Sequence, residues 1–263
     1  MERHAQHRPA FSILTHPLNR TAILHTRAIV LRAVKYGETS LILDMLTREQ
    51  GRRSFIIGGV RKAASRISPG LLKPMALIDI VAYDRPDREL NRLKEVRADF
   101  VYEHLPFELV RGTIGLFMIE LVQKAVRVSE PDYELFDFVA LAFSELDGTE
   151  ASTGTWHLAF ALHLAGFLGF APSGWHDAER PCFDLKLGRF SAGHGQPERL
   201  LDADTSRLLG DLLELDVTES HRVQASRSQR LALADGIVRY YQYHVDGFAG
   251  LNSLEVLRAV MKS

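Results

Sequence analysis

A group of cations in a loop bounded by glycines is the feature of this sequence with the clearest chemistry. The segment Gly58 to Gly70 reads GGVRKAASRISPG and follows the apolar run Phe55 to Ile57. It carries three cations and two hydroxyls, at Arg61, Lys62, Arg66, Ser65 and Ser68. Glycines permit the backbone angles of a tight loop, so these donors can converge on phosphate oxygens. The alternative is a solvated surface loop, because short runs of charge commonly face only water.

The charge of the chain is unevenly distributed. Residues 21 to 100 contain 15 lysines and arginines against 9 aspartates and glutamates, a net charge of +6. Residues 101 to 263 carry a net charge of −9, and the whole chain carries −1. The local potential steers a charged ligand, so the basic part can attract nucleic acid although the total charge is near zero.

The first hundred residues show the short apolar segments and turn residues of a β-domain. The predicted strands are 28–31, 40–47, 54–57, 76–83 and 90–96. Five strands in about eighty residues predict a small, partly open barrel of the OB type, whose strand 2–3 face takes oligonucleotides. Phe55 is expected in the core, whereas Tyr36 and Tyr83 are candidates for stacking with bases.

A predicted hairpin brings further cations together. The segment Asp44 to Arg53 has a glycine-containing turn between two apolar runs, which is typical of a hairpin. This turn is expected to place Arg48, Arg52 and Arg53 near one end of the barrel.

Beyond residue 100 the apolar residues repeat at helical spacing. Pro106 suits a first helical turn, and the stripe from Val110 to Val128 predicts a long amphipathic helix. The sequence at Ser129 to Asp132 resembles a capping box that opens a second helix, closed by Asp147 and Gly148. Further helices are predicted at 155–170, 204–215, 226–244 and 252–261.

A helix-poor insert at residues 173–201 contains the only local metal-ligand candidates. These are His176, Cys182 and His194, with Asp177 or Asp184 as a poor fourth ligand. No C-x2-C pair is present, so we predict no metal site. The chain also lacks the dinucleotide, P-loop, G-x-S-x-G and H-E-x-x-H motifs, so we predict neither a cofactor nor catalysis.

Several features bear on location. No apolar run reaches the ~18 residues of a membrane span. Residues 1–21 lack the apolar core of a secretory signal and are expected to be a flexible extension. A single cysteine fits a reducing compartment, so a cytoplasmic protein without membrane contact is expected.

The order and spacing of short motifs resemble the RecO family of bacterial recombination mediators and DNA repair proteins. The motifs are AIVLR at 28–32, YGETS at 36–40, LTREQG at 46–51, GGVRK at 58–62, Ser65-Arg66, LGFAP at 168–172, Phe190-Ser191, Tyr243-His244 and Asn252-Ser253. The resemblance spans about residues 22 to 262. Many relatives carry a four-cysteine zinc motif after LGFAP, whereas this chain keeps only Cys182 there.

The resemblance implies an α+β protein with an N-terminal OB-fold barrel at 22–100. An all-α domain at 101–263 follows, with the insert at the zinc-finger position. It also implies a non-catalytic protein of the RecF/RecO/RecR pathway, associated with the bacterial nucleoid. Such a protein binds single- and double-stranded DNA, anneals strands coated with single-stranded DNA-binding protein, and works with RecR to load RecA.

We expect the basic barrel face to neutralise DNA phosphates without reading sequence. The predicted contacts are Arg32, Lys35, Arg52, Arg53, Arg61, Lys62, Arg66 and Arg92. The family also recognises the acidic, phenylalanine-ended tail of single-stranded DNA-binding protein through its helical domain, and Lys124 and Arg127 are the candidates for that contact. An alternative for the same pair is an exposed helix C-terminus.

Three other functions share parts of this pattern. An OB-fold RNA-binding or translation-related factor would carry the same basic barrel. A purely structural adaptor would bind neither nucleic acid. An enzyme acting on nucleic acid would need a metal-binding acidic cluster beside the basic loop, which the sequence lacks.

Overall fold

The computed structural model describes residues 22–60, 67–85, 88–127 and 130–260. The predicted extension at 1–21 and the loop cations Arg61, Lys62 and Arg66 lie outside the described residues.

The N-terminal part is a closed five-stranded barrel, which confirms the predicted OB fold. Its strands are β1 (Ala22–Tyr36), β2 (Ser40–Thr47), β3 (Gly51–Ile57), β4 (Leu77–Asp84) and β5 (Leu90–Ala98). They are ordered β1-β2-β3-β5-β4, and the pairs are antiparallel except β3 with β5. The long β1 closes the barrel, because one half pairs with β4 and the other with β2.

Alternation along the strands separates the barrel core from a face that packs on helices. Val30 and the predicted core residue Phe55 lie in the barrel interior. A bulge between Val30 and Arg32 shifts the register of β1 on β2, and Ile29 and Leu31 pack with the helical core. One side of the barrel is therefore covered by the helical part, which leaves the rest of its outer surface to solvent.

Six α-helices follow among the described residues, and the first, third and fourth of them end two or three residues before the sequence pattern predicts. They are α1 (Leu109–Ala125), α2 (Tyr133–Gly148), α3 (Trp156–Phe167), α4 (Ala203–Leu213), α5 (Arg227–His244) and α6 (Ser253–Val260). The chain leaves α3 through Gly169, whose φ of +84° is a left-handed conformation that glycine adopts freely. None of the helices in the described ranges is long and apolar enough to cross a membrane.

Side-chain caps set the helix starts. Asp132 caps α2, since its side chain accepts a hydrogen bond from the backbone N–H of Leu135, whereas Ser129 of the predicted capping box lies outside the described residues. Ser226 and Gln229 form a reciprocal capping box at α5.

Arginines of the barrel join it to α2. Arg48, in the β2–β3 turn, donates to both carboxylate oxygens of Asp137 at 2.8 and 2.7 Å. Its guanidinium also lies 5.0 Å from the centroid of the Tyr133 ring. The hydrogen bonds from Arg48 lower the pKa of Asp137 and outweigh the opposing effect of desolvation. Arg27 of β1 pairs with Asp99 and lies 3.8 Å from Asp137, so β1 and the β2–β3 turn share an ion-paired contact with α2.

The insert folds as a small hairpin on the helical core. Its strands are β6 (Cys182–Asp184) and β7 (Arg189–Ser191). Phe183 and Phe190 pack edge to face at 5.2 Å, and Phe183 meets Tyr240 of α5 at 5.7 Å. Ordinary aromatic packing therefore holds the segment.

Candidate nucleic-acid interface

A continuous row of outward side chains crosses the barrel. Neighbouring Cα positions pair Val34 with Ile42, Ile42 with Ile56, Ile56 with Arg92, and Arg92 with Tyr83. Their strand neighbours point into the barrel core, so alternation places this row on the outside. The row is an apolar strip with one cation in it, open to solvent.

A cleft of about 600 Å³ lies where the row crosses β3, β5 and β4. Its apolar lining is Ile56, Tyr83 and Leu90, and its cationic lining is Arg85, Arg88 and Arg92. Tyr83 is 38% exposed. Guanidinium groups beside an exposed aromatic ring can hold a phosphate and a stacked base together.

A buried amide fixes the shape of the cleft. Asn91 is 4% exposed, and its Oδ1 accepts a hydrogen bond from the backbone N–H of Arg85 at 3.1 Å. This bond ties the end of β4 to the start of β5. The backbone at Arg85 is therefore held against the strand that carries Arg92.

The side chain of Arg92 also lies beside Gly58, the first residue of the predicted cationic loop. A Cβ placed on Gly58 would be 4.0 Å from Nη2 of Arg92 and 3.7 Å from Oγ of Ser40. Within the described residues, no carboxylate lies within ion-pairing distance of Arg92. Its charge is therefore available to a ligand beside the point where the loop leaves β3.

Arg32 and Lys35 differ in their relation to this face. Arg32 is exposed on the outer face, next to Asp44 on β2 and two residues along the strands from the row of Arg92. Asp44 places a carboxylate on the neighbouring strand, where it accepts a hydrogen bond from Ser54. Lys35 is exposed near the end of β1. Its Cα pairs with that of Leu41, so its side chain leaves the strand on the face opposite to that of Arg32.

Arg52 and Arg53 lie apart from the cleft. Arg52 donates from Nη1 to the backbone carbonyls of Gln123 and Val126 at 2.7 and 2.8 Å. Arg53 and Phe55 are two residues apart on β3, so the side chain of Arg53 starts towards the barrel interior. Its Nε is buried without a hydrogen-bond partner among the described residues. The predicted hairpin is present as β2 and β3, but its arginines do not form one DNA site, because Arg48 and Arg52 contact the helical domain.

The two predicted tail contacts also separate. Lys124 donates to the backbone carbonyl of Gly250 and pairs with Glu120, both at 2.7 Å. Arg127 is exposed. Desolvation lowers the pKa of the half-buried Arg52; the charge of Asp44 opposes this shift, whereas the charges of Arg127 and Arg32 act in the same direction as desolvation. Arg127 and Arg32 therefore lie close enough to Arg52 to act on its charge, together with the carboxylate of Asp44.

Comparison with known proteins gives the family. The model of the recombination protein O N-terminal domain matches residues 22–99, and that of the recombination protein O C-terminal domain matches residues 106–255. The chain belongs to the recombination protein O family. The two matched segments correspond to the barrel and to the helices that follow it.

Curated relatives extend over nearly the whole length. A protein of Bacteroides fragilis is 29% identical over 89% of this chain and 97% of its own length. Relatives from Flavobacterium psychrophilum and Azobacteroides pseudotrichonymphae are 28% and 26% identical, over 90% and 89% of this chain and 98% of their own lengths. Each is named DNA repair protein RecO.

The insert holds no metal-binding group in the part of the chain that the structure describes. Among those residues, no three histidine, cysteine, aspartate or glutamate side chains come together as metal ligands. Asp184 accepts hydrogen bonds from the backbone N–H groups of Lys186 and Leu187, both at 2.9 Å, so it serves the hairpin turn.

Proposed function

We propose that this RecO-family chain is a DNA repair protein that binds DNA through the β3–β5–β4 face of its barrel. The cleft with Arg85, Arg88 and Arg92 around an apolar floor is the observation that carries this proposal. Three guanidiniums beside an exposed tyrosine suit a strand that offers both phosphates and unpaired bases. The names of the relatives support a role in DNA repair.

The cleft binds without reading sequence. Arg88 and Arg92 are long, exposed side chains suited to phosphate oxygens, and the apolar surface of the cleft accepts the π-face of any base. Binding is therefore dominated by counterion release and weakens steeply with salt. Arg61, Lys62 and Arg66, which follow Gly58 in the chain, are proposed to add phosphate contacts beside Arg92.

A second part of the bound DNA strand is proposed to run from the cleft towards the helices. Arg32 lies on the barrel face between the cleft and Arg52, and Arg127 is a further exposed cation whose charge acts on Arg52. Arg52 is itself engaged with backbone carbonyls, so its part is electrostatic. In this proposal the DNA path runs from Arg92 past Arg32 to Arg127.

Annealing follows from the same chemistry. Cations that neutralise two backbones reduce their repulsion, while base edges that are not held by hydrogen bonds can pair. The family resemblance adds the finer role, in which strands coated with single-stranded DNA-binding protein are annealed and RecA is loaded with the help of RecR. Contacts with RecR and with the acidic tail of the coating protein remain part of this proposal, and Lys124 is the weaker tail candidate because it is internally paired.

Salt-dependent DNA binding tests the cleft. Fluorescence anisotropy with a labelled 30-nucleotide oligo-dT would compare wild type with Arg88→Ala/Arg92→Ala over a salt series. The double variant is expected to flatten the slope of log K against log salt by about 1.4, from about 0.7 for each phosphate contact on a single strand. The control is Arg97→Ala, because Arg97 is 80% exposed on the same strand but outside the cleft. A slope shared by the double variant and wild type would reject the cleft as the phosphate site.

Function is tested by strand annealing. Complementary oligonucleotides, bare or coated with single-stranded DNA-binding protein, are expected to anneal faster with wild type than with Arg88→Ala/Arg92→Ala. Competition with RNA of equal length separates the RNA-binding alternative. Preference for RNA, or no acceleration of annealing, would contradict the proposed role.

A further inference from the structure

A second cavity, remote in sequence from the barrel, lies between the insert and α4. It has a volume of about 480 Å³. The insert contributes Trp175, His176 and Phe190, and α4 with its C-cap contributes Arg207, Asp211 and Glu214. The proposed DNA path uses none of these residues.

The insert side of the cavity is aromatic. Trp175 is 63% exposed, a large value for a large and mainly apolar ring. The guanidinium carbon of Arg180 lies 4.2 Å from the centroid of that ring, so Trp175 already makes a cation–π contact on one side. His176 and Phe190 meet edge to face at 6.2 Å and form the inner wall.

The inner wall also contains one buried polar atom that makes no described hydrogen bond. Nε2 of His176 is buried and has no hydrogen-bond partner among the described residues. A buried polar nitrogen without a partner costs free energy. The surface that this wall offers to a ligand is the exposed ring of Trp175, which suits a side chain with an apolar stem and a cationic end.

The α4 side of the cavity is negative. Asp211 and Glu214 are exposed, and no described lysine or arginine lies within 4.0 Å of their carboxylates. They lie at the C-terminal end of α4, where the helix dipole adds partial negative charge. Arg207 is paired with Asp204 one turn earlier, so its charge is largely offset.

We propose that this cavity binds an arginine or lysine side chain from a basic segment of a partner protein. Trp175 takes the cation on its ring, and Asp211 and Glu214 complete the charge pairing. Charge complementarity decides the class of partner, since a nucleic acid would bring its phosphates against two carboxylates and a helix C-terminus. The proposal does not depend on DNA binding by the barrel.

Peptide titration with the full chain tests this site. The probe is an acetylated and amidated Gly-Gly-Arg-Gly-Gly peptide, with citrulline or glutamate at the central position as matched peptides. The readout is the indole N–H resonance of Trp175 in a nitrogen-labelled sample, which must be separated from that of Trp156. Trp156 is 1% exposed, so its resonance reports whether the core stays intact.

The arginine peptide is expected to shift the Trp175 resonance in a saturable way, and the citrulline and glutamate peptides are not. Asp211→Asn/Glu214→Gln is expected to weaken the arginine peptide at least tenfold. The control Glu134→Gln/Glu145→Gln removes two exposed carboxylates from α2 and is expected to change nothing.

An equal response to arginine and citrulline would overturn the proposal, as would undiminished binding by the Asp211/Glu214 variant. The peptide comparison in wild type needs no variant, so the proposal remains testable if the double substitution disturbs folding. Glu214→Gln alone provides the milder change, for which at least a threefold loss is expected.

Discussion

Arg52 of β3 donates a hydrogen bond to the backbone carbonyl of Val126, 2.8 Å away at the end of α1. The same Nη1 reaches the carbonyl of Gln123 at 2.7 Å. The last carbonyls of a helix have no partner within the helix, and a cation there is favourable. Arg52 therefore fastens α1 to the barrel.

We expect Arg52→Met to lower the free energy of unfolding by about 2 kcal/mol, because charge-assisted hydrogen bonds in a half-buried site are lost while the aliphatic stem is kept. Urea denaturation measures this change, with Arg97→Met as the exposed control. DNA affinity is expected to fall less than in Arg92→Ala. A variant as stable as wild type, with its DNA binding abolished, would instead make Arg52 a phosphate contact.

Tyr83 is expected to contribute stacking rather than charge. Tyr83→Ala should weaken binding of oligo-dT by about 1 kcal/mol, or about fivefold, the lower end for one stacked base. Tyr83→Phe keeps the ring and should bind like wild type. The decisive measurement uses an abasic oligomer of equal length, for which Tyr83→Ala and wild type should be equal. A similar loss on both oligomers would mean that the substitution damages the cleft rather than removing a stack.

The sequence predicted the barrel well, because the alternation of apolar residues and the turn residues can be recognised within short segments. The bounds of β2 match the prediction, and Phe55 is buried as expected. The prediction for β1 began only at Ala28, whereas the strand begins at Ala22. Its first half has exposed positions and is held by pairing with β4, a distant segment.

The candidate site was harder to predict, because a sequence does not show which charged side chains are paired with another group. Arg48 and Arg52 look like the other barrel cations until the helices dock and supply Asp137 and two carbonyls. Lys124 likewise pairs with Glu120 one turn earlier on α1. Nor does the sequence pattern show that Arg92 packs beside Gly58, because the parallel contact of β3 with β5 joins distant segments.

His157 should make stability depend on pH above the range of the carboxylates. Its ring is 1% exposed against Phe117, and burial, with a smaller effect of Arg230, lowers its pKa from 6.5 to about 3. The unfolded chain takes up a proton near pH 6.5 while the folded chain stays neutral. Stability is therefore complete above pH 6.5 and declines as the pH falls towards 3, by up to about 1.4 kcal/mol per pH unit.

Urea midpoints at pH 7.5, 6.5 and 5.5 measure this dependence. His157→Leu, of similar volume, should remove most of the slope between pH 6.5 and 5.5. His221→Gln changes an exposed histidine and should leave it in place. An unchanged slope in His157→Leu would show that another group titrates.

Asp147 is expected to be the carboxylate whose loss most destabilises the connection from barrel to helices. It is buried at the end of α2 and accepts the backbone N–H groups of Glu103, His104 and Leu105 at 2.9, 2.9 and 2.6 Å. Burial opposes its ionisation, but these hydrogen bonds outweigh it and lower its pKa. Its stabilising effect is therefore present above the ordinary pKa of an aspartate and is lost as the pH falls through the lower folded value.

Asp147→Asn replaces one acceptor oxygen with an NH2 group that faces backbone donors. We expect a loss of about 2 kcal/mol in the free energy of unfolding, because at least one buried N–H is left without a partner. Urea denaturation at pH 7 measures it, and Asp246→Asn in an exposed loop is the control. Equal midpoints for the two variants would mean that this loop holds its conformation without the carboxylate. Hydrogen exchange at Leu105 provides a local reading, since its amide should lose protection only in Asp147→Asn.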